Sequence, residues 1–349
     1  MNKIQLQICF LPTFLFIIAT SGLTIDKKTN VIMLFVDDLG YGDLGFTGHP
    51  TTKTPNLDKL ANNGKILSNF YSAYPVCSAS RASLMTGRQP DRIGVPGVFG
   101  PTVNVGLPLN ETTLGDQFKK AGYATAIMGK WHLGQRQMFL PGSRGFDTYL
   151  GIPYSDDMGG GRATPCNNYK SEQESVEARK TSNAIVTKAK SENEWYHEYC
   201  SAGFCDENDK ISNEDPAGTY LPLVYQTHDT HDHSLNTTVL EQPLDFTTLD
   251  EKYNNFVKDF ITKHKDSPFF LYMPFSHVHT TNTLQPEQQY CGCDFKNKTS
   301  RGAFGDALAE VDWLVGNLIE QLQLLDLSEN TLIMFTGDNG PWMVHNESA

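Results

Sequence analysis

The sequence predicts an α/β fold with a mostly parallel central sheet and helices on both faces. Three observations predict it. Apolar runs typical of buried strands alternate with amphipathic helical segments, no internal repeat is present, and polar residues cluster just after several of the predicted strands. Because ligand sites in such sheets lie at the carboxyl ends of the strands, we expect these polar clusters to form the functional site.

The first predicted strand is the apolar run 30–36, which ends at Asp37 and Asp38. A short helix follows in TPNLDKLANNG, where Thr54 is typical of an N-cap, Pro55 of a first helical position and the last glycine of a stop.

Further helix–strand pairs complete the predicted sheet. A helix from about 112 to Gly122 precedes a strand at 123–128. The order recurs in two more segments, of which the second combines a long amphipathic helix with a buried strand: LDEKYNNFVKDFITKHKDSPFFLYMPFSHVHT, and FGDALAEVDWLVGNLIEQLQLL followed by NTLIMFTGDNG. The stretch from about 156 to 240 is polar and irregular, and we interpret it as an insertion over the site and not as a domain.

Residues 1–22 are predicted to be a signal peptide, with Lys3 before an apolar run from Ile8 to Ala19 and small residues at Ser21 and Gly22. A signal anchor is the alternative. No later segment is apolar and long enough to span a bilayer. The expected location is therefore the secretory pathway, either lysosomal or extracellular.

Export makes four Asn-x-Ser/Thr sequences candidate glycosylation sites: Asn110, Asn236, Asn297 and Asn346. The net charge of −12 and the pI of about 5.3 argue against nucleic acid as a partner, because phosphate binding needs a basic face. A small anionic substrate is still compatible with this charge, since a few local cations can dominate a pocket.

Seven cysteines are present, and Cys9 leaves with the signal peptide. In an oxidising compartment the remaining six could form three disulfides: Cys77, Cys166, Cys200, Cys205, Cys291 and Cys293. Cys77 stands apart in YPVCSASRASLMTGRQ, and on its residues alone it could be a packed thiol, half of a disulfide, a thiolate nucleophile or the precursor of a modified residue. If it is unpaired, one of the other five lacks a partner.

Acidic and amide side chains follow two of the predicted strands. Asp37 and Asp38 follow the first, and Asp338 and Asn339 follow the last. Bare carboxylates brought together would repel one another, whereas a hard divalent cation with oxygen ligands resolves the repulsion. Carboxylate and amide oxygens suit Ca²⁺ or Mg²⁺ better than zinc. The alternative is that each pair caps the next turn or helix.

Cationic residues occur at two other predicted strand or helix ends. Lys130 and His132 are two apart and point the same way in an extended segment. Arg81 lies four residues after Cys77, on the same face if a helix begins there. Together with a metal ion these groups suit a tetrahedral oxyanion, either phosphate or sulfate. Taken singly, Lys130 is more typical of a surface lysine, and His132 of a structural histidine.

At this point the sequence resembles a known family. CSASRASLMTGR is similar to the signature of the type I sulfatases, in which the cysteine is converted to formylglycine. Four further blocks resemble the family in the same order: VIMLFVDDLGYGDLG, GYATAIMGKWHLG, GIPYSDDMG and FTGDNGPW. The stretches GLPLNETTL and FTGDNGPW resemble its arylsulfatase A/G branch most. The resemblance covers about residues 28–342.

The resemblance implies an alkaline-phosphatase-like sulfatase fold and hydrolysis of the sulfate ester of an aryl or sugar alcohol. It implies that Cys77 becomes formylglycine through a formylglycine-generating enzyme, and that its hydrate supplies the nucleophilic hydroxyl. It also implies a Ca²⁺ site whose ligands are Asp37, Asp38, Asp338, Asn339 and residue 77. By the same resemblance, Arg81 and Lys130 would hold the formylglycine and the sulfate. His132 would assist the diol, and His279 would face the leaving oxygen. Ser155 also matches a site residue of the family.

Three departures from the family pattern bear on these expectations. Ala79 replaces the usual proline, which predicts less efficient conversion of Cys77. Thr281 stands where the family pattern His-x-Pro has its proline. Which of His279 and His277 matches the family's site histidine is therefore open. Family members continue beyond Asn339 into further strands, another lysine and a smaller C-terminal domain.

Because few residues follow Asn339, we expect an open strand edge, exposed apolar surface and poor activity of this chain by itself, as in an incomplete gene model or a truncated isoform. The alternatives to a sulfatase are an inactive secreted sulfatase-like binding protein and a phosphatase or phosphodiesterase of the same fold. A phosphatase would ordinarily carry Ser or Thr at position 77.

Overall fold

The computed structural model describes residues 28–164, 166, 220–229, 231–284 and 288–342. The predicted signal peptide, Cys200, Cys205 and Asn346 lie outside these residues. Within them, no helix has both the length and the apolar character needed to cross a membrane.

A seven-stranded sheet forms the centre of the fold, in the order β5-β4-β3-β2-β6-β1-β9. Five adjacent strands, from β3 to β9, are parallel, and β4 and β5 are antiparallel additions at one edge. The strands of this sheet are β1 (Asn30–Val36), β2 (Ala124–Met128), β3 (Thr148–Gly151), β4 (Leu223–His228), β5 (Leu235–Glu241), β6 (Phe269–Pro274) and β9 (Thr331–Gly337). A separate two-stranded sheet pairs β7 (Thr280–Thr281) with β8 (Gln288–Gln289).

Within the described residues, five α-helices accompany the sheet: α1 (Pro55–Asn62), α2 (Cys77–Thr86), α3 (Leu114–Lys120), α4 (Leu249–Lys263) and α5 (Gly302–Leu324). All four helices predicted above are confirmed, and α2 begins at Cys77, as the spacing of Cys77 and Arg81 required. Thr54 occupies the predicted N-cap position of α1, but its side chain makes no capping bond. The capping bonds come from Asp312 of α5, whose carboxylate accepts the backbone N–H groups of Asn56 and Leu57 at 3.0 and 2.8 Å.

Two apolar cores lie on opposite faces of the sheet, which confirms the predicted layering. Ile32 and Leu34 of β1 face α1, α4 and α5, whereas Met33 and Phe35 face α2 and α3. This alternation follows from the twofold period of a strand: a strand buried on both faces must be apolar at every position.

The last strand corrects one expectation and confirms another. β9 was predicted to be a buried strand, but it lies at the edge of the described sheet, with Leu332 and Met334 exposed by 50% and 42%. It pairs with β1 and with no other described strand. The predicted open strand edge and exposed apolar surface are therefore present in the described residues.

The predicted irregular stretch at about 156–240 is wrong in its last part. Residues 223–228 and 235–241 are β4 and β5, paired antiparallel. The alternation in LVYQTH and LNTTVLE is short and mixed with threonine, so it was read as irregular. Residues 165 and 167–219 lie outside the described part of the chain.

One disulfide joins Cys166 to Cys293, with Cα atoms 5.4 Å apart. Cys77 and Cys291 carry free thiols. The candidate glycosylation residues Asn110, Asn236 and Asn297 are all exposed.

A buried carboxylate pair lies between α4 and α5, away from the strand ends. Asp250 and Glu310 are both buried, and one oxygen of Asp250 has no hydrogen-bond partner among the described residues. Glu310 accepts the backbone N–H of Gly292 at 2.5 Å and contacts His277 Nε2 at 2.9 Å. Burial and the neighbouring Glu310 raise the pKa of Asp250 to about 8.

We therefore expect Asp250 to make the fold more stable in acid. The folded state keeps a proton on Asp250 that the unfolded chain releases near its ordinary pKa of 3.8, so this contribution to stability is lost as pH rises towards 8. Asp250→Asn should flatten the fall in the free energy of unfolding between pH 5 and pH 8, measured by urea denaturation. Asp259→Asn, at an exposed position on the same helix, is the matched control. An unchanged pH dependence in Asp250→Asn would contradict this assignment.

Candidate active site

Polar side chains from five strand ends and one helix start converge at one edge of the sheet. Because β1 and β9 are parallel and in register, with Val36 opposite Gly337, the residues that follow them are brought side by side. The contributing segments are those after β1 (Asp37, Asp38), β9 (Asp338, Asn339), β2 (Lys130, His132), β3 (Ser155) and β6 (His279), together with the start of α2 (Cys77, Arg81).

The backbone here is tightly packed. Lys130 N–H donates to the carbonyl of Pro274 at 2.7 Å, which fixes the exit of β2 against the end of β6. A Cβ atom on Gly129 would lie 2.0 Å from that same carbonyl oxygen, and Gly129 has φ of +123°. Only glycine fits this position.

The acidic residues from β1 and β9 form one cluster. Asp338 Oδ1 accepts the backbone N–H of Asp38 at 3.2 Å and that of Asn339 at 2.7 Å. The Asn339 amide donates to Asp38 Oδ1 at 2.6 Å. Asp37 and Asp338 are fully buried, and Asp38 and Asn339 nearly so.

Two buried cations hold this cluster together. Arg81 donates to Asp338 Oδ2 from Nη2 at 2.9 Å, and the same nitrogen lies 3.4 Å from Asp37 Oδ1. Lys130 Nζ donates to the other oxygen of Asp37 and to Ser155 Oγ, the latter at 3.0 Å. Burying a charge is costly unless it is paired, and each of these cations has a carboxylate partner.

The carboxylates therefore differ in their protonation behaviour. Burial alone would raise the pKa of Asp37, but Lys130 and Arg81 outweigh it and hold that pKa far below its ordinary value. Asp338 has the opposite balance: burial and the charge of Asp37 raise its pKa to about 7. Without a further positive charge, the cluster cannot easily keep all of its carboxylates ionised.

The residues present fit a hard divalent cation. Three buried oxygens have no hydrogen-bond partner among the described residues: Asp37 Oδ1, Asp38 Oδ2 and Asn339 Oδ1. Atoms of Asp37, Asp338 and Cys77 that can act as ligands lie within 4.8 Å of one another. Carboxylate and amide oxygens in this number are the donor set of Ca²⁺ or Mg²⁺.

Cys77 begins α2 beside this cluster. It is buried and makes no disulfide with any described residue. Burial raises the pKa of its thiol well above the ordinary value, which leaves it protonated and a poor nucleophile. Of the four possibilities for Cys77, the structure speaks against the thiolate, and it shows no disulfide within the described residues.

His132, which follows β2 with Lys130, has contacts of its own. Its Nε2 lies 2.9 Å from the carbonyl oxygen of Phe99, and its buried Nδ1 has no hydrogen-bond partner among the described residues. Burial, followed by the charge of Lys130, lowers the pKa of His132 well below its ordinary value. A neutral imidazole is therefore expected, with Nδ1 available as a hydrogen-bond acceptor.

The two histidines after β6 point to different places. His279 Nε2 lies 3.4 Å from Asp38 Oδ2 and 3.5 Å from Ser155 Oγ, so it faces the cluster. His277 instead contacts Glu310 at 2.9 Å, on the α5 side. The structure thus places His279, and not His277, among the other site residues.

Two residues of the site were missed in the sequence. Asp156 is fully buried, neither of its carboxylate oxygens has a hydrogen-bond partner among the described residues, and Oδ1 lies 3.8 Å from His279 Nδ1. Burial raises the pKa of Asp156 to about 7. Trp342 packs against the His279 ring, with ring centroids 4.9 Å apart. In the sequence, the acidic pair in SDD, like the earlier pair Asp37 and Asp38, was a signal for Asp156. No comparable signal indicated Trp342.

Comparison with known proteins agrees with this geometry. The profile of the Sulfatase family matches residues 29–347. Human arylsulfatase A is 37% identical over 335 residues, which cover 95% of this chain and 55% of that protein. Human arylsulfatase G is 36% identical over 331 residues, covering 94% of this chain and 54% of that protein. The chain spans about half the length of the curated relatives it matches.

Solved structures show the same fold. The structure titled Ps i-CgsB in complex with k-i-k-neocarrahexaose has a TM-score of 0.63 and 28% identity, and the match covers 93% of this chain and 60% of that one. PsFucS1 sulfatase from Pseudoalteromonas sp. has a TM-score of 0.61 and 28% identity, over 90% of this chain and 56% of that one. From its sequence profile, its relatives and its fold, the chain belongs to the sulfatase family.

Proposed function

We propose that this chain carries the catalytic centre of a sulfuric ester hydrolase of the arylsulfatase type. The observation that supports it best is the meeting of Arg81, Lys130 and three buried carboxylates beside residue 77, at the start of a helix. Membership of the sulfatase family supports the reaction class. Because the chain spans about half of its curated relatives, the activity itself is part of the proposal.

Charge balance favours a cation and a sulfate ester here. Three carboxylates face two permanent cations, which leaves the cluster one negative charge in excess. A bound divalent cation would give the cluster a net charge of plus one, which the single negative charge of a sulfate ester would balance. Asp37, Asp38, Asp338 and Asn339 would hold Ca²⁺, and Mg²⁺ is the second choice.

Residue 77 would supply the nucleophile after modification. A formylglycine formed from Cys77 would, as its hydrate, offer a hydroxyl to the sulfur of the ester, and a bound cation would stabilise the charge that develops on oxygen. The chain's own residues prepare this position: Arg81 and Lys130 surround it with fixed positive charge, and His132 offers a neutral imidazole nitrogen as an acceptor.

The other end of the ester would face Ser155 and His279. Lys130 Nζ, hydrogen-bonded to Ser155, is placed to bind a sulfate oxygen. His279 Nε2 lies at the same side and is suited to deliver a proton to the leaving oxygen. Asp37, Asp156 and Asp38 together outweigh burial and Lys130, so that the pKa of His279 is raised, which favours its proton-donating form.

The proposed substrate is an aryl sulfate or a sulfated sugar. The similar Ps i-CgsB structure is in complex with k-i-k-neocarrahexaose, and this similarity supports including a sulfated sugar in the proposal. We further propose maturation by a formylglycine-generating enzyme in the secretory pathway and a lysosomal or extracellular site of action.

Modification of Cys77 and turnover should go together. In protein from a eukaryotic secretory host, mass spectrometry of the peptide spanning Cys77 should find formylglycine, and the modified fraction should hydrolyse 4-nitrophenyl sulfate faster than 4-nitrophenyl phosphate. Ala79→Pro should raise the modified fraction, since proline is tolerated in the first helical turn. Cys77→Ala is the inactive control. A fully alkylatable thiol at Cys77 together with turnover equal to that of Cys77→Ala would contradict the proposal.

A bound cation should stabilise the fold. Ca²⁺ at about 100 times its Kd should raise the free energy of unfolding by about 2.7 kcal/mol, because it binds only the folded state. This corresponds to a rise in Tm of about 5 °C. Scanning calorimetry with and without a chelator measures this rise. Asp38→Asn should remove it, whereas Glu111→Gln, in the ion pair with Arg88, should keep it. A Ca²⁺-dependent rise that survives in Asp38→Asn would place the ion elsewhere.

His279→Gln should lower kcat most for poor leaving groups. A general acid contributes about 10²–10⁴-fold, and its loss matters least when the leaving phenolate needs no proton. The measurement is kcat across aryl sulfates of rising phenol pKa. His277→Gln is the matched control and should keep the wild-type slope, since His277 faces Glu310. An equal loss in His279→Gln for every leaving group would exclude proton transfer by this residue.

A further inference from the structure

Trp342 differs from every other side chain of the candidate active site in its exposure. The indole is 39% exposed, whereas Lys130, Ser155 and His279 are buried. Its ring lies 4.9 Å from the His279 ring, nearly perpendicular at 81°. Trp342 therefore combines a contact with a buried residue of the site and a solvent-exposed ring.

The chain segment that carries Trp342 is held in place. It follows Asp338 and Asn339, which are fixed by hydrogen bonds to the β1 end. Pro341, which directly precedes Trp342, packs on Gly40: a Cβ atom on Gly40 would lie 3.2 Å from Pro341 Cγ. The position of the indole is thus set by the same backbone that positions the acidic cluster.

We propose that Trp342 forms the wall of the leaving-group subsite and selects sulfate esters whose alcohol carries a ring. This inference rests on the proposed function. The sulfate end would be held at depth by Lys130 and Arg81, and the leaving oxygen would face His279 Nε2. The partly exposed ring that contacts His279 is that of Trp342, so the group beyond the leaving oxygen would meet its indole.

The chemistry of the indole defines the class of group it accepts. A large flat apolar surface with one polar N–H binds an aromatic ring by offset or edge-to-face packing, and it binds the apolar face of a pyranose in the same way. A short aliphatic alcohol offers no such face. The shared requirement is a ring, and an aryl sulfate and a sugar sulfate are its two sources.

A purely structural role for Trp342 makes a different prediction. If the indole only supports His279 and the cluster, its removal weakens every ligand of the site alike, including inorganic sulfate, which has no leaving group. If it forms the subsite wall, its removal weakens only ligands that extend past the leaving oxygen.

The test is calorimetric titration of the full chain carrying Cys77→Ala, with Ca²⁺ present. This variant lacks the residue 77 nucleophile and therefore does not hydrolyse the ester during the titration. The ligands are 4-methylumbelliferyl sulfate, glucose 6-sulfate and inorganic sulfate. Trp342→Ala should weaken at least one ring-bearing ester by about 10-fold, the size of one aromatic contact, and inorganic sulfate by less than about 2-fold. Trp342→Phe should restore most of the lost affinity. The ester that loses affinity identifies the source of the ring.

Other results would overturn the inference. Equal weakening of all three ligands assigns Trp342 a structural role, and no weakening of either ester excludes it from the subsite; both leave the proposed function intact. If none of the three ligands binds the Cys77→Ala protein with Trp342 in place, the anion site itself is absent, and the proposed function fails together with the inference.

Discussion

The repulsion among Asp37, Asp38 and Asp338 is the constraint on which the rest of the site depends. Two neighbouring parallel strands end in register, so the acidic residues that follow them lie side by side. Arg81 and Lys130 offset part of this charge from within the protein, and both are buried, which makes each contact with a carboxylate obligatory. The three buried oxygens that lack a hydrogen bond among the described residues, and the raised pKa of Asp338, indicate that these two cations do not complete the charge balance.

The fold keeps these groups rigid through its two cores. β1 is apolar on both faces, and helices cover it on each side, so its carboxyl end is fixed relative to α2 and to β6. Backbone bonds between Asp37 and the 277–278 segment, both at 2.7 Å, then carry that rigidity into the loop that bears His279. Rigid placement of charge before substrate arrives is what makes electrostatic stabilisation effective in an enzyme. The open edge at β9 lies next to this arrangement without interrupting it.

Much of this could be predicted from the sequence, and the limits have physical causes. The apolar runs and the helix ends predicted four of the five parallel strands, all but β3, and the helices α1, α3, α4 and α5, because those signals are local. The order of strands is not local, so the edge position of β9 and the addition of β4 and β5 required the structure. The family resemblance named Cys77, Arg81, Lys130 and His279, and the structure brings these together. Asp156 and Trp342 were missed because the contacts with His279 that bring them into the site join residues far apart in the sequence.

The most direct test of the account is a crystal structure of the chain grown with Ca²⁺ and sulfate, with anomalous data to locate calcium. We expect one calcium peak with oxygens of Asp37, Asp38, Asp338 and Asn339 at about 2.3–2.6 Å. We also expect a sulfate between that peak and Lys130, on the side of His279. A cluster that stays metal-free while Arg81 and Lys130 keep their carboxylate contacts, with sulfate bound elsewhere, would contradict the claim that this charge cluster is built to receive a cation and a sulfate ester.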